Sequence, residues 1–538
     1  MTLTMQQLIA EHAEKDTLAV IHDAADGSRV RWTWKEYVTR SSQHAAAILE
    51  RADAGRPLHI GALLGNTPAM LTAIAGAALG GYVLCGINGT RRGAGLRADL
   101  ATADIQILLT DTEHRHLLDG LDLAGVDVID VEDSEWQHRC QSAGELTPAR
   151  QAQPTDPFMM IFTSGTSGDP KAVLVSHLMV SFAGGNLLDR FALTSSDVFY
   201  LAMPMFHSNG IAAGFAPAVA AGGTMAPSKF SASGFIDEIR SYGATYMNYV
   251  GKPLAYVLAT PARADDSDNP LRVAFGNEAS DQDIEGFSRR FGVRVVDAFG
   301  STENAVIITR EEGTPPGSVG RGLPGVAVYK SDPIAECPPA RFDDSGMLVN
   351  PEEAIGELVN TSGAGFFSGY YNNDEASAER MRAGMYWSGD LAYKDSDGWI
   401  YLAGRTADWM RVDGENLTAG PIERILQRHP DISRVAVYPV PDELVGDQLM
   451  AAVVLREGAR LDEAEFGEFL ASQQDLSPKA WPRFVRIAAE LPATATNKIL
   501  KRVLVCEGTG VGADILWTRA GRERTYRLSE GRAARTLP

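Results

Sequence analysis

Short apolar stretches alternate with helix-like stretches over residues 17–300, and this alternation restricts the fold more than any other feature of the chain. LAVIH, HIGALLG, IQILLT and VDVIDV are separated by segments such as TWKEYVTRSSQHAAAILE, and FMMIF, VFYLAMP, TYMNYV, LRVAF and VRVVDAF continue the series after the polar stretch TPARQAQPTDP. Strands covered on both faces by crossover helices read as apolar runs, so the pattern predicts an α/β fold with parallel-type sheets. From Gly317 to Ile400 turn signals dominate, in GSVGRGLPG, GYYNNDE and KDSDGWIYL, which predicts a smaller β-rich subdomain. Beyond Gly404 the pattern changes again. PIERILQRH and EAEFGEFLASQ read as helices, VAVYPV, LMAAVVL and RFVRIA as strands, and together they predict a compact α+β unit. The expected boundary lies near Gly404 to Asp408, giving domains 1–403 and 404–538. A chain of 538 residues needs such a division, because single cores stop growing at roughly 250–300 residues.

Composition narrows the function. The formal charge of −20 argues against nucleic acid as a partner, since binding phosphates along a duplex takes a net basic face. Cys85, Cys140, Cys337 and Cys506 are too scattered for a zinc site or a small disulfide framework. The N-terminal MTLTMQQLIAEHAEKD lacks a basic region followed by an apolar core, so the expected compartment is the cytoplasm, free or in peripheral contact with a membrane. Ala69 to Ile87 is uncharged but weakly hydrophobic and rich in Gly and Ala, which predicts a buried helix over a membrane span. Nothing in the sequence specifies an oligomeric state.

The segment with most chemical content is IFTSGTSGDPK, residues 161–171. An apolar strand enters a loop of Thr163, Ser164, Gly165, Thr166, Ser167 and Gly168, closed by Pro170 and Lys171. Small residues let backbone N–H groups approach an anion, and the hydroxyls and the ammonium add donors, so the loop reads as a phosphate cradle. It is not the GxxxxGK[ST] loop: Lys171 follows Gly168 by three positions, with no Ser or Thr after it. GTGVG at 508–512, after VLVC, lacks the GxGxxG spacing and room for a crossover unit, and is set aside as a dinucleotide site.

TSGTSGDPK resembles the phosphate loop of the adenylate-forming superfamily, which contains acyl-CoA synthetases, adenylation domains and luciferases, and four further segments resemble its motifs in the same order. AFGSTEN (298–304) is similar to the aromatic-Gly-x-Thr-Glu motif. The resemblance implies that Phe299, standing where Tyr is usual, stacks on adenine, that Gly300 and Thr302 line the nucleotide, and that Glu303 helps to hold Mg2+. MYWSGDL (385–391) is similar to the motif whose carboxylate, here Asp390, accepts from the ribose hydroxyls. GRTADWMRVDGENL (404–417) resembles the hinge motif, implying that Arg405 approaches the ribose and that Ala407 occupies the hinge position. LPATATNKILK (491–501) resembles the segment whose lysine, Lys498, bridges the carboxylate and the α-phosphate. FGNEAS (275–280) implies Asn277 and Glu278 at the nucleotide, with Gly276 and His207 at the acid pocket.

The resemblance further implies a large N-terminal domain of stacked sheets with a β-rich subdomain, a small mobile C-terminal domain, and ATP, Mg2+ and CoA as cofactors. Lys171 and Lys498, with Thr302 and Glu303, would then stabilise charge at phosphorus while a carboxylate is joined to AMP, and no protein nucleophile is needed. Ala407, where Asp or Lys is common, and Asn497, where Gly is usual, depart from the family pattern without removing a reacting group. His207 stands where amino-acid-activating relatives place an Asp, so a hydrophobic acid is expected over an amino acid. FGNEAS, STEN, MRVDGENL and RERTYRLSE are closest to the branch of fatty-acid transport proteins, very-long-chain acyl-CoA synthetases and bile-acid-type ligases. That branch implies long or very-long-chain fatty acids first and steroid side-chain acids next. The remaining readings are an acyl-AMP ligase that loads a carrier protein and a lipid-binding or transport protein with vestigial catalysis. Intact Lys171, Glu303, Asp390, Arg405 and Lys498 count against the last.

Overall fold

The computed structural model describes residues 3–24, 26–163, 170–344, 346–405, 409–412, 415–442, 446–493, 499–520 and 523–529. Contacts divide the chain into two compact units, residues 1–307 with 363–384, and residues 308–362 with 385–538.

The first unit holds two sheets. In one, the spatial order is Asp127–Asp130, Ile107–Thr110, His59–Leu63, Val83–Gly86, Pro157–Thr163 and Lys171–Ser176, parallel except for the last pair. His59–Leu63, Val83–Gly86 and Ile107–Thr110 are buried at every position, as expected of parallel strands covered on both faces. In the other, Arg294–Phe299, Val273–Asn277, Tyr246–Val250, Val198–Leu201, Thr224–Pro227 and Leu18–Asp23 run parallel, and Arg29–Thr33 returns antiparallel at the edge. Helices Phe235–Tyr242 and Asp281–Phe291 pack on this sheet through Phe235, Ile239, Phe287 and Phe291, joined by Met247 and Tyr249 from the strands. Trp34–Arg51 begins where the sequence predicts: the Thr33 side chain caps it, and the Glu36 carboxylate accepts from the Thr33 backbone N–H.

Ala69 to Ile87 is not one helix. Helix Pro68–Gly80 ends at Gly81, whose φ of 71° is a left-handed conformation that stops the helix, and strand Val83–Gly86 follows. No helix among the described residues is long and apolar enough to cross a membrane.

The second unit holds an antiparallel sheet, Ile334–Glu336, Val326–Ser331, Gly356–Asn360, Met385–Lys394 and Ile400–Arg405, which matches the β-rich expectation. It also holds a mixed sheet in which Gly446–Leu455 pairs with Ile432–Asp442, Phe484–Ile487 and Trp409–Val412. Helices Ala419–Leu426 and Glu463–Ser472 cover it through Ile422, Leu426, Phe466 and Leu470 against Trp517. The VLVC run lies in helix Lys501–Glu507, so no strand leads into the glycines at 508–512. The boundary expected from sequence falls at the end of strand Ile400–Arg405, inside the second unit. Residues 363–384, with GYYNNDE, group with the first unit by their contacts, although the turn-rich sequence around them belongs to the second.

Candidate active site

Strands Pro157–Thr163 and Lys171–Ser176 form an antiparallel hairpin in which Thr163 lies opposite Lys171. Phe158, Met159, Met160 and Ile161 are buried and anchor the first strand, so the hairpin holds Thr163 and Lys171 together at the base of the loop. The Thr163 hydroxyl donates to the Lys171 carbonyl at 3.5 Å. Ser164, Gly165, Thr166, Ser167 and Gly168 lie outside the described residues.

Gly276, Asn277, Glu278, Phe299, Gly300, Thr302 and Glu303 gather where two neighbouring parallel strands, Val273–Asn277 and Arg294–Phe299, reach their C-terminal ends, the usual place for ligands in such sheets. A Cβ on Gly276 would fall 2.1 Å from the Tyr249 carbonyl oxygen of the adjacent strand, so only glycine fits. Glu278 has a φ of 67°, and the turn around it is held by Asp297, whose Oδ2 accepts from the Ala279 amide at 2.9 Å and from the Tyr249 hydroxyl at 3.3 Å. The backbone strain at Glu278 is thus supported from the next strand.

Two residues not singled out from the sequence, Ser208 and Asn209, tie these strand ends to the segment that follows His207. The Ser208 and Thr302 hydroxyls share a hydrogen bond at 3.1 Å. Asn209 donates to Asn277 Oδ1 at 3.3 Å and to the Tyr249 carbonyl at 3.2 Å, and accepts from Asn248 at 2.7 Å. They precede a π-helical turn, Gly210–Phe215, a wide turn often found at functional sites. His207 stands just before it. Its Nε2 is out of contact with water and has no hydrogen-bond partner among the described residues, and burial pushes the ring's pKa down to about 4, so it is neutral at physiological pH.

Glu303 is buried, and its Oε1 accepts from the Tyr370 hydroxyl at 2.8 Å. The Arg380 Nε donates to the same hydroxyl at 3.3 Å, and the Lys171 ammonium lies over the Tyr370 ring, 5.2 Å from its centroid. Tyr370 was not singled out in the sequence; the only signal was the adjacent pair Tyr370 and Tyr371 in a run of turn residues. The donor set suits Mg2+: a hard cation takes carboxylate oxygen, and Glu303 Oε2 makes no hydrogen bond among the described residues while Oε1 is held in place.

In the second unit, Asp390 and Arg405 are register partners on the antiparallel strands Met385–Lys394 and Ile400–Arg405. Asp390 is buried, and its backbone amide donates to the Ser388 hydroxyl at 3.0 Å. The preceding amide, of Gly389, donates to buried Glu357 at 2.7 Å, which fixes the turn of the strand at the Ser-Gly-Asp motif. Ala407, Asn497 and Lys498 lie outside the described residues.

The model for AMP-binding enzymes matches residues 9–371, and the model for the C-terminal domain of AMP-binding enzymes matches residues 421–498. The chain belongs to the AMP-binding enzyme family. Within it, the chain is 49% identical over 487 residues to a medium/long-chain-fatty-acid–CoA ligase, FadD17, of Mycobacterium marinum, covering 90% of this chain and 93% of that protein. The protein of the same name from Mycobacterium tuberculosis matches equally, at 49%. Steroid-22-oyl-CoA synthetase of Rhodococcus jostii is 44% identical over 479 residues, covering 88% of this chain and 86% of that protein. In fold the chain matches ATP-bound MatB from Rhodopseudomonas palustris, with a TM-score of 0.81 at 23% identity over 95% of this chain and 100% of the other. The α/β architecture and the membership of an AMP-binding, adenylate-forming enzyme family expected from the motifs both hold.

Proposed function

We propose that the chain is an ATP-dependent acyl-CoA ligase that converts a hydrophobic carboxylic acid to its acyl-AMP and then to its CoA thioester. The observation that carries this reading is the convergence of Thr163, Lys171, Thr302 and Glu303 in one unit, with Tyr370 and Ser208 linking them. These groups supply what the first step needs, which is neutralisation of the charge that develops when a carboxylate attacks a phosphate. Lys171 and the loop hydroxyls would bind the phosphates, Phe299 would cover the adenine, Asp390 and Arg405 would hold the ribose, and Lys498 would meet the α-phosphate. Bound near Glu303, Mg2+ would supply positive charge to the phosphate oxygens. CoA as the acceptor fits the names of the relatives in both the fatty-acid and the steroid group.

Medium- and long-chain fatty acids are the proposed substrates, with steroid side-chain acids next. Ile211, Ala213, Phe215 and Ala216, which follow neutral His207 in the chain, are buried and apolar, and residues 206–216 contain no carboxylate that would bind a substrate ammonium, which supports an apolar acid pocket. Each CH2 buried there is worth about 0.8 kcal/mol, so acetate should be discriminated against strongly. The test is pyrophosphate release, with and without CoA, for acetate, a medium-chain acid, a long-chain acid and a cholanoate-type acid. The expected order of kcat/KM puts the fatty acids above acetate by at least about a hundredfold. A best rate with acetate or with an amino acid would overturn the pocket reading, and full turnover without CoA would overturn the thioester step.

A further inference from the structure

Lys171 and Glu303 carry opposite charges and both touch one side chain, yet among the described residues they form no ion pair with each other. That side chain, Tyr370, is buried. Its backbone is set by the edge strand Lys171–Ser176: the Leu174 amide donates to the Gly369 carbonyl at 3.1 Å, and the Tyr371 amide donates to the Ala172 carbonyl at 2.8 Å. The next two side chains anchor the segment on its far side, where Tyr371 and Asn372 donate to Asp104 at 2.8 and 3.1 Å. The ring is therefore fixed beside Lys171 by its own strand contacts, independently of either charge.

We infer that Tyr370 is a positioning residue that keeps Glu303 and Lys171 from neutralising each other, so that the carboxylate and the ammonium both stay available to a nucleoside triphosphate and its cation. The chemistry of the phenol suits this task. Its hydroxyl donates to Glu303 and fixes one carboxylate oxygen without cancelling the charge. Arg380 donates to the hydroxyl oxygen, which leaves the phenolic proton for Glu303. The ring face attracts the Lys171 ammonium through its quadrupole, again with no counter-charge. Each contact is weaker than a desolvated ion pair, so incoming phosphates can displace it. Without the ring, a lysine and a glutamate in a largely buried site would attract each other strongly. ATP would then have to break that pair before binding.

The inference rests on the proposed nucleotide site, and the test separates the two. Equilibrium binding of ATP is measured by calorimetry in excess EDTA for the full chain, for Tyr370→Ala and Tyr370→Phe, and for each in a Glu303→Gln background. Tyr370→Ala is expected to weaken metal-free binding about tenfold with Glu303 present and about twofold or less in the Glu303→Gln background, because the lysine then has no carboxylate to pair with. Tyr370→Phe, which keeps the ring between the charges, should stay within about threefold of wild type in EDTA. An equal loss from Tyr370→Ala in both backgrounds, or no loss in either, would overturn the spacer role. A loss from Tyr370→Phe as large as that from Tyr370→Ala would do the same. Wild type that binds no ATP, with or without Mg2+, would instead overturn the nucleotide-site reading. If Tyr370→Ala does not fold, Tyr370→Thr, whose β-branch suits the extended backbone there, takes its place in the same comparison.

Discussion

At the scale of single residues, the site depends on positions where one side chain, or none, fits. Gly276 is opposite Tyr249 in the parallel ladder, and the space a Cβ would need is filled by a carbonyl oxygen 2.1 Å away. Gly276→Ala must push two neighbouring strands apart or tilt one of them. Overpacking of this kind costs about 1–3 kcal/mol, and here it also shifts Asn277 and the hydrogen bond from Asn209. The expected result is a lower unfolding temperature together with raised KM values for both acid and ATP; an alanine variant with unchanged KM values would show that the strand ends do not form the pocket. Gly276 could be named from the sequence through its motif, but the oxygen that excludes a side chain comes from residue 249 and has no local signal.

At the scale of elements, two pairings place the groups proposed to face the nucleotide. The hairpin Pro157–Thr163 and Lys171–Ser176 brings the first and last members of the proposed phosphate loop opposite each other. An apolar strand entering a glycine-rich loop was legible in IFTSGTSGDPK, whereas the antiparallel return was not, because the second strand, KAVLVS, is too short to distinguish by periodicity. The strands Met385–Lys394 and Ile400–Arg405 do the same for two motifs that look separate in sequence, aligning Asp390 with Arg405. If both hold the ribose, Asp390→Ala removes a charge-assisted acceptor worth roughly 1.5–3 kcal/mol, and ATP affinity should fall about ten- to a hundredfold. Titration of ATP against the folded variant checks this, and unchanged affinity would remove Asp390 from the site.

At the scale of the whole molecule, buried imidazoles set the response to acid. His44, His177 and His207 belong to the first unit, and burial pushes each down from the usual value near 6.5 to about 4. In the unfolded chain they take up protons near pH 6.5, while in the folded unit they do not until about pH 4. Their contribution to stability is therefore complete above pH 6.5 and is lost as the pH falls toward 4, because the unfolded state binds more protons over that window. The unfolding temperature should drop steadily between pH 6.5 and 4, and His207→Phe should make that drop shallower. A profile that is flat across the window in the wild type would contradict the burial of these rings.

What the sequence by itself determined was the class of fold and the family, since both are carried by local patterns. Apolar runs alternating with amphipathic helices specify covered parallel strands, and short motifs such as TSGTSGDPK, FGSTEN and SGDL place particular side chains on particular loops. The partners of those groups were decided only in three dimensions. Tyr370 reaches Glu303 across 67 positions and Ser208 reaches Thr302 across 94, and no local periodicity encodes contacts over such separations. The same holds for the organisation of the chain. Residues 369–371 lie in a turn-rich run that looks continuous with the β-rich sequence around it, yet their backbone pairs with the edge strand Lys171–Ser176 of the first unit. An exposed strand edge offers unpaired N–H and C=O groups to whatever segment the fold brings near, and which segment arrives is a property of the tertiary structure alone.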